Sequence, residues 1–144
     1  MSPTPTLLLD THIALWLDSG SARLRPSTIQ LIDRCRQRGG TILFSAVSAW
    51  EIALLVDTGC IELDVPVADW VDRFCSQPGV APLPLDPAAA SRAYMLHPFA
   101  HRDPGDRLLM ATAIAADAPL VTYDDRILAF AKRHGRQIRF SATT

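Results

Sequence analysis

Three things are scarce in this chain of 144 residues, and each absence excludes a class of protein. Long apolar runs are missing: none approaches the roughly 18 residues that a membrane helix needs, so no membrane span is expected. Cysteine is sparse. Cys35, Cys60 and Cys75 are odd in number, widely spaced and without a C-x-x-C pair, which argues against both a disulfide framework and a structural zinc site. A surplus of positive charge is missing too. Fourteen lysines and arginines against 15 acids leave a net charge of −1, so nucleic acid can be held only by a local patch. Lys132 is the only lysine. The arginines suit planar contacts with phosphates and bases, although codon bias in a GC-rich genome would produce the same skew. No basic residue precedes Leu7-Leu8-Leu9, which argues against a secretory signal peptide and makes a reducing cytoplasm the simplest compartment.

What is present is a chain with 49% hydrophobic residues, enough for one well-buried core, and a single domain over residues 1–144 is expected. Short apolar runs alternate with helical patterns. Leu7-Leu8-Leu9, Thr41 to Ser45 and Leu120-Val121-Thr122 read as buried strands. Val80 to Leu85, with two prolines, suits only an edge strand, and Gln137 to Phe140 reads as a last strand. Helices are expected over His12 to Leu17, Pro26 to Arg38, Ser48 to Val56, Pro66 to Cys75, Ala88 to Leu96, Gly105 to Ala116, and from the residues after Thr122 to about His134. Asp86-Pro87 and Asp103-Pro104 both look like an N-cap followed by a first helical residue. Such alternation predicts an α/β fold: a mostly parallel central sheet with helices on both faces.

In a parallel sheet the ends of the strands and the starts of the following helices share one edge, where ligands bind. Asp10 follows the first strand, Glu51 falls near the start of the helix after the second, Asp106 opens the strong helix at Gly105, and Asp124 follows the Leu120-Val121-Thr122 strand. Carboxylates brought together repel, and some must take up protons unless a cation joins them. A hard divalent ion such as Mg²⁺ suits a few carboxylates, waters and a substrate phosphate, the setting for metal-assisted phosphodiester hydrolysis. Each acid also has a plainer reading. Ser48-Ala49-Trp50-Glu51 matches a capping box, Asp106 favours a helix dipole, and Asp124 with Asp125 could be a turn and a cap. Asp10, ending a buried apolar strand, is hardest to explain without a partner.

At these residues the chain resembles a known family. Leu7-Leu8-Leu9-Asp10-Thr11-His12, Ser45-Ala46-Val47-Ser48-Ala49-Trp50-Glu51-Ile52-Ala53, His101-Arg102-Asp103-Pro104-Gly105-Asp106-Arg107-Leu108-Leu109 and Leu120-Val121-Thr122-Tyr123-Asp124 resemble, in order and spacing, the four motifs of PIN domains in VapC toxins. The resemblance implies a PIN-like fold and an endoribonuclease using Mg²⁺, or Mn²⁺, in a pocket of Asp10, Glu51, Asp106 and Asp124. It implies Asp10 and Asp106 as direct metal ligands, and Ser45 and Thr122 as supporting hydroxyls. It also implies an RNA substrate, a cognate antitoxin and a homodimer. One departure stands out: Gly105 occupies a position where the third motif commonly has an aromatic residue. There it would loosen the first helical turn by up to about 1 kcal/mol. Asp103 is the fallback for the role of Asp106, and otherwise a cap.

Other residues carry weaker signals. His97 and His101 flank the third motif without a zinc-like ligand set. His12 reads as the start of a helix. Trp16, Trp50 and Trp70 fall at apolar helical positions and are expected in the core. Arg34, Arg36 and Arg38 read as a solvated helix face, whereas Arg102 and Arg107, beside the acids, are candidates for the RNA backbone. An aspartyl-nucleophile phosphatase would want an acid two residues after Asp10, where His12 stands. A phosphoacceptor receiver domain would want paired acids early and a lysine late. The alternative from another class is a non-catalytic PIN-like binding module, which a missing acid would have favoured.

Overall fold

A computed structural model describes residues 4–96, 99 and 101–144, so His97 lies outside the described residues. The chain runs β1 (Thr6–Leu9), α1 (Thr11–Ser19), α2 (Pro26–Gln37), β2 (Thr41–Ser45), α3 (Ala46–Asp57), α4 (Val67–Cys75), β3 (Val80–Leu83), α5 (Pro87–Arg92), α6 (Pro104–Ala116), β4 (Leu120–Val121), α7 (Asp125–Ile138) and β5 (Ala142–Thr143). The five strands form one parallel sheet in the order β3-β2-β1-β4-β5. The proline-bearing strand β3 takes an edge, where a missing N–H costs no ladder bond.

Alternation along the strands feeds two cores. Leu7, Leu9, Ile42, Phe44 and Val121 point to one face, where Ile13 of α1, Ile32 of α2 and Trp70 and Phe74 of α4 cover them. Leu8 and Leu120 point to the other, beneath Leu109, Met110 and Ala113 of α6 and Ile127 and Phe130 of α7. Strands covered on both faces have no polar side, which is why they read as unbroken apolar runs. Among the described residues no helix is long and apolar enough to cross a membrane.

Four expectations need correction. Residues Gln137 and Ile138 are the end of α7, not a strand. The helix closes only at Arg139, which takes a left-handed conformation (φ 56°), and the last strand follows at Ala142–Thr143. Gly135 permits this closure, because a Cβ there would strike the Phe140 carbonyl oxygen. Helix α5 stops at Arg92 instead of Leu96, and the Ala93 carbonyl accepts a hydrogen bond from Arg107. The cap of α3 is Ser45, whose hydroxyl accepts from the Val47 N–H at 3.0 Å. Ser48 is therefore inside the helix and buried, and no capping box forms with Glu51. Trp50 is 50% exposed instead of packed in the core, beside Leu54 one turn on at 47%. Trp70 is buried as expected, with its indole N–H donating to Asp18.

Candidate active site

The acids converge on a cavity of about 480 Å³ at the carboxyl edge of the sheet. Asp10, Glu51, Asp106 and Asp124 line it together with Asp103, and His12, Trp16, Arg23 and Tyr123 form more of its wall. Each acid arrives by a different element. Asp10 leaves β1 and starts α1, accepting the Thr11 N–H at 2.7 Å. Glu51 is on α3, in its second turn because the helix begins at Ala46 instead of Ser48. Asp106 is in the first turn of α6, and Asp124 is the N-cap of α7.

Hydroxyls fix these carboxylates. Thr122 donates to Asp10 Oδ2 at 2.6 Å while its own oxygen accepts the Asp124 N–H. Ser48 lies 3.0 Å from the Thr11 hydroxyl, which donates to Glu51 Oε1 at 3.1 Å. Ser45, expected to support the pocket, is occupied in capping α3. Thr11 and Ser48 do the supporting work instead, a role that spacing along the chain does not signal. Arg126 was also not singled out from the sequence. Its guanidinium meets Asp124 Oδ2 at 3.1 Å and His101 Nδ1 at 2.9 Å. Since a guanidinium only donates, Nδ1 accepts, and Nε2–H is left to donate to Asp106 Oδ2 at 2.8 Å. Although ligand atoms of His101, Asp103 and Asp106 lie within 4.8 Å of one another, this tautomer leaves the imidazole no lone pair for a metal.

The acids differ in how comfortably they hold charge. Burial pushes the Asp10 carboxyl up, against the pull of Thr122 and Thr11. Burial and then the nearby Asp10 push Glu51 up to about 7, with Asp106 and Asp103 adding to the repulsion. Burial, Asp103 and Asp10 push Asp106 up to about 6, against the hydrogen bond from His101. Asp124 goes the other way. Burial opposes its charge, but Arg126 and the backbone N–H groups of Arg126 and Ile127 outweigh it and hold the carboxyl below its ordinary value. Three acids in one cavity are thus strained as anions and one is satisfied.

Of two neighbours of the acids, Asp103 behaves as the expected cap and Arg107 departs from expectation. Asp103 caps α6, accepting the Asp106 N–H at 3.0 Å, so Asp103→Ala is expected to cost about 1 kcal/mol of stability in a denaturant titration. Arg107, expected at the RNA backbone, is only 3% exposed. It donates to the carbonyls of His101, Ala93 and Phe99 from inside the fold and cannot reach solvent. Arg102 is exposed over the Tyr94 ring. A larger cavity of about 660 Å³, walled by Asp117, Lys132 and Arg139 before β4 and β5, lies at the opposite edge without such a group of acids.

The chain matches the PIN domain family over residues 7–133. It is also 32% identical over 133 residues to Ribonuclease VapC22 of Mycobacterium tuberculosis, covering 92% of this chain and 96% of that one. The chain belongs to the PIN-domain family. Solved structures share the PIN fold at low identity. VapBC2 from Rickettsia felis, bound to a DNA fragment from its promoter, matches with a TM-score of 0.63 and 16% identity, covering 96% of this chain and 97% of that one. FitAcB from Neisseria gonorrhoeae matches with a TM-score of 0.59 and 18% identity over 96% of each chain. Within the PIN family this chain carries Gly105 beside its acids, and the structure gives that glycine a purpose. A Cβ at 105 would lie 2.8 Å from the Glu51 carboxylate. The missing side chain lets Glu51 lie against the first turn of α6.

Proposed function

We propose that this PIN domain is a Mg²⁺-dependent endoribonuclease, with Mn²⁺ able to substitute, acting as the toxin of a toxin–antitoxin pair. The observation that carries the reading is the single cavity in which Asp10, Glu51 and Asp106 are all strained as anions while Asp124 completes the ring. An all-oxygen donor set of this kind fits a hard divalent cation, and its charge would relieve the repulsion. Glu51 Oε2 and Asp106 Oδ1 have no protein donor among the hydrogen bonds of the described residues, so they are free to face such an ion. When bound, the cation supplies Lewis acidity toward the phosphate and the attacking water. The protein's part is positioning. Thr122 and Thr11 orient Asp10, Thr11 orients Glu51, and the Arg126–His101 pair orients Asp106. Arg126, with its side chain 61% exposed at the rim, is placed to meet substrate phosphate.

The relationship to Ribonuclease VapC22 supports ribonuclease chemistry, and the likeness to VapBC2 and FitAcB supports an antitoxin partner. The exposed Trp50 and Leu54 on α3 support burial against a second copy. Purified protein free of partners should cut RNA with Mg²⁺ or Mn²⁺ and stop in EDTA, and its expression should arrest bacterial growth until the adjacent gene is co-expressed. Undiminished cleavage in EDTA overturns the metal-dependent reading.

Gly105→Ala separates site geometry from stability. Alanine is the better helix former by about 0.5–1 kcal/mol, and the colliding group is the movable end of Glu51, so the fold should melt no lower than wild type. Displacing Glu51 should weaken Mg²⁺ affinity by about tenfold or more, read from the melting shift across a Mg²⁺ titration. An unchanged Mg²⁺ response would mean that Glu51 needs no clearance at 105.

A further inference from the structure

The rim of the acid pocket continues into α7, and the character of that helix is unlike the chain as a whole. From Arg126 to Ile138 it carries no acid but has Arg126, Lys132, Arg133 and Arg136, in a protein whose net charge is −1. At about 100° per residue, positions 126, 129, 133 and 136 fall within roughly 80° of arc. All four are exposed, and small Ala129 leaves the space between the first arginines open. With a rise of about 1.5 Å per residue, Arg133 is about 10 Å and Arg136 about 15 Å along the axis from Arg126.

A groove of about 260 Å³ lies beside this strip, lined by His101, Arg126, Ala129, Phe130, Arg133 and His134. Its near wall is shared with the acid site, since His101 bonds Asp106 and Arg126 bonds Asp124. The rings of Phe130 and His134, 5.3 Å apart, give it an aromatic floor. Among the described residues neither Arg133 nor Arg136 is paired with a carboxylate. The other side of the acid pocket is unsuited to a polyanion. The cavity of about 430 Å³ there has Asp18, Glu62 and Asp64 in its wall against Arg23.

We infer that single-stranded RNA runs from the acid pocket along α7, with its phosphates on Arg126, Arg133 and Arg136 and a base or sugar face over the Phe130–His134 floor. Charge that tracks a backbone beside rings that accept any base gives affinity without sequence preference. The inference rests on the ribonuclease reading above. It is tested by fluorescence anisotropy of labelled single-stranded RNA across a NaCl series, with Asp10→Asn protein in Mg²⁺ as the parent. Adding Arg133→Gln and Arg136→Gln together should weaken binding equally for unrelated RNA sequences. The slope of log affinity against log salt should fall by about 1.4, or about 0.7 for each lost phosphate contact on a single strand. In the otherwise wild-type enzyme the same pair should raise KM and leave kcat and the Mg²⁺ melting shift unchanged. A control pair, Arg34→Gln with Arg38→Gln at the far end of α2, should leave the slope alone. If wild type cuts RNA but the α7 pair binds with the parent's affinity and slope, the track is overturned and the nuclease stands. If wild type neither cuts nor binds RNA, the ribonuclease reading falls and takes the track with it.

Discussion

Asp106→Asn is expected to remove RNA cleavage by about 1,000-fold or more, the equivalent of roughly 4 kcal/mol in the barrier, while making the metal-free protein more stable at pH 8. The two effects share a cause. Burial together with Asp103 and Asp10 opposes charge on Asp106 and pushes its carboxyl up to about 6, as burial with Asp10 pushes Glu51 up to about 7. Raised carboxyls stabilise the fold in their neutral form. That contribution is fully present below their ordinary values near 4 and is lost as pH rises through about 6 and 7. Metal-free wild type should therefore lose about 1–2 kcal/mol across this window, a figure discounted for solvent in the cavity. The asparagine variant should lose less, because it has no charge at 106 and relieves its neighbours. Its oxygen can still accept from His101. Asp10→Asn should be equally inactive but a poorer stability probe, because its amide nitrogen would face the donating Thr122 hydroxyl. Added Mg²⁺ should reverse the order, stabilising wild type by about 2.7 kcal/mol at one hundred times its dissociation constant and the variant by less. Thermal melts between pH 4 and 8, with EDTA or Mg²⁺, read all of this. An Asp106→Asn protein that melts well below wild type in EDTA at pH 8 would show that the carboxylate holds the fold together and is not strained.

Arg107→Met should be the most destabilising of the substitutions considered. The methionine fills much of the same volume but leaves the carbonyls of Ala93, Phe99 and His101 without their donor inside the protein. The arginine also lies 4.8 Å from the Tyr94 ring centre and 5.4 Å from that of Phe99. Losing three charge-assisted bonds to buried acceptors costs about 3–5 kcal/mol. At a few degrees per kcal/mol, the melting temperature should drop by about 10 °C or more. Catalysis should suffer as well, because the His101 backbone is one of the groups Arg107 holds. A variant within a degree or two of wild type would mean that the segment before α6 finds other donors.

The fold was legible because a sheet covered on both faces leaves its strands no polar side, and β1, β2 and β4 were marked by little else than apolar runs. The acids were legible because parallel topology delivers strand ends to one edge. What escaped the sequence depended on contacts between distant residues. Arg107 stood out in a one-dimensional reading and Arg126 did not, yet Arg107 is buried under carbonyls and Arg126 is exposed beside Asp124. Gly105 looked like a weakness in a helical turn until Glu51 was seen against it. Ser45 and Ser48 both precede Glu51, and only the direct passage from β2 into α3 decides which of them caps. The last strand was misplaced because Ile138 and Phe140 alternate like strand residues, although helical closure at Arg139 separates them.

The bond from Thr122 to Asp10 joins residues 112 apart, and the one from Thr11 to Glu51 joins residues 40 apart. Contacts of such long range form late, after the loops between them have closed. A nascent chain that has not yet made β4 lacks both Asp124 and the hydroxyl that orients Asp10. Under the proposed ribonuclease function, this dependence acts as a safety catch: the site cannot assemble until residues 122–124 have been translated.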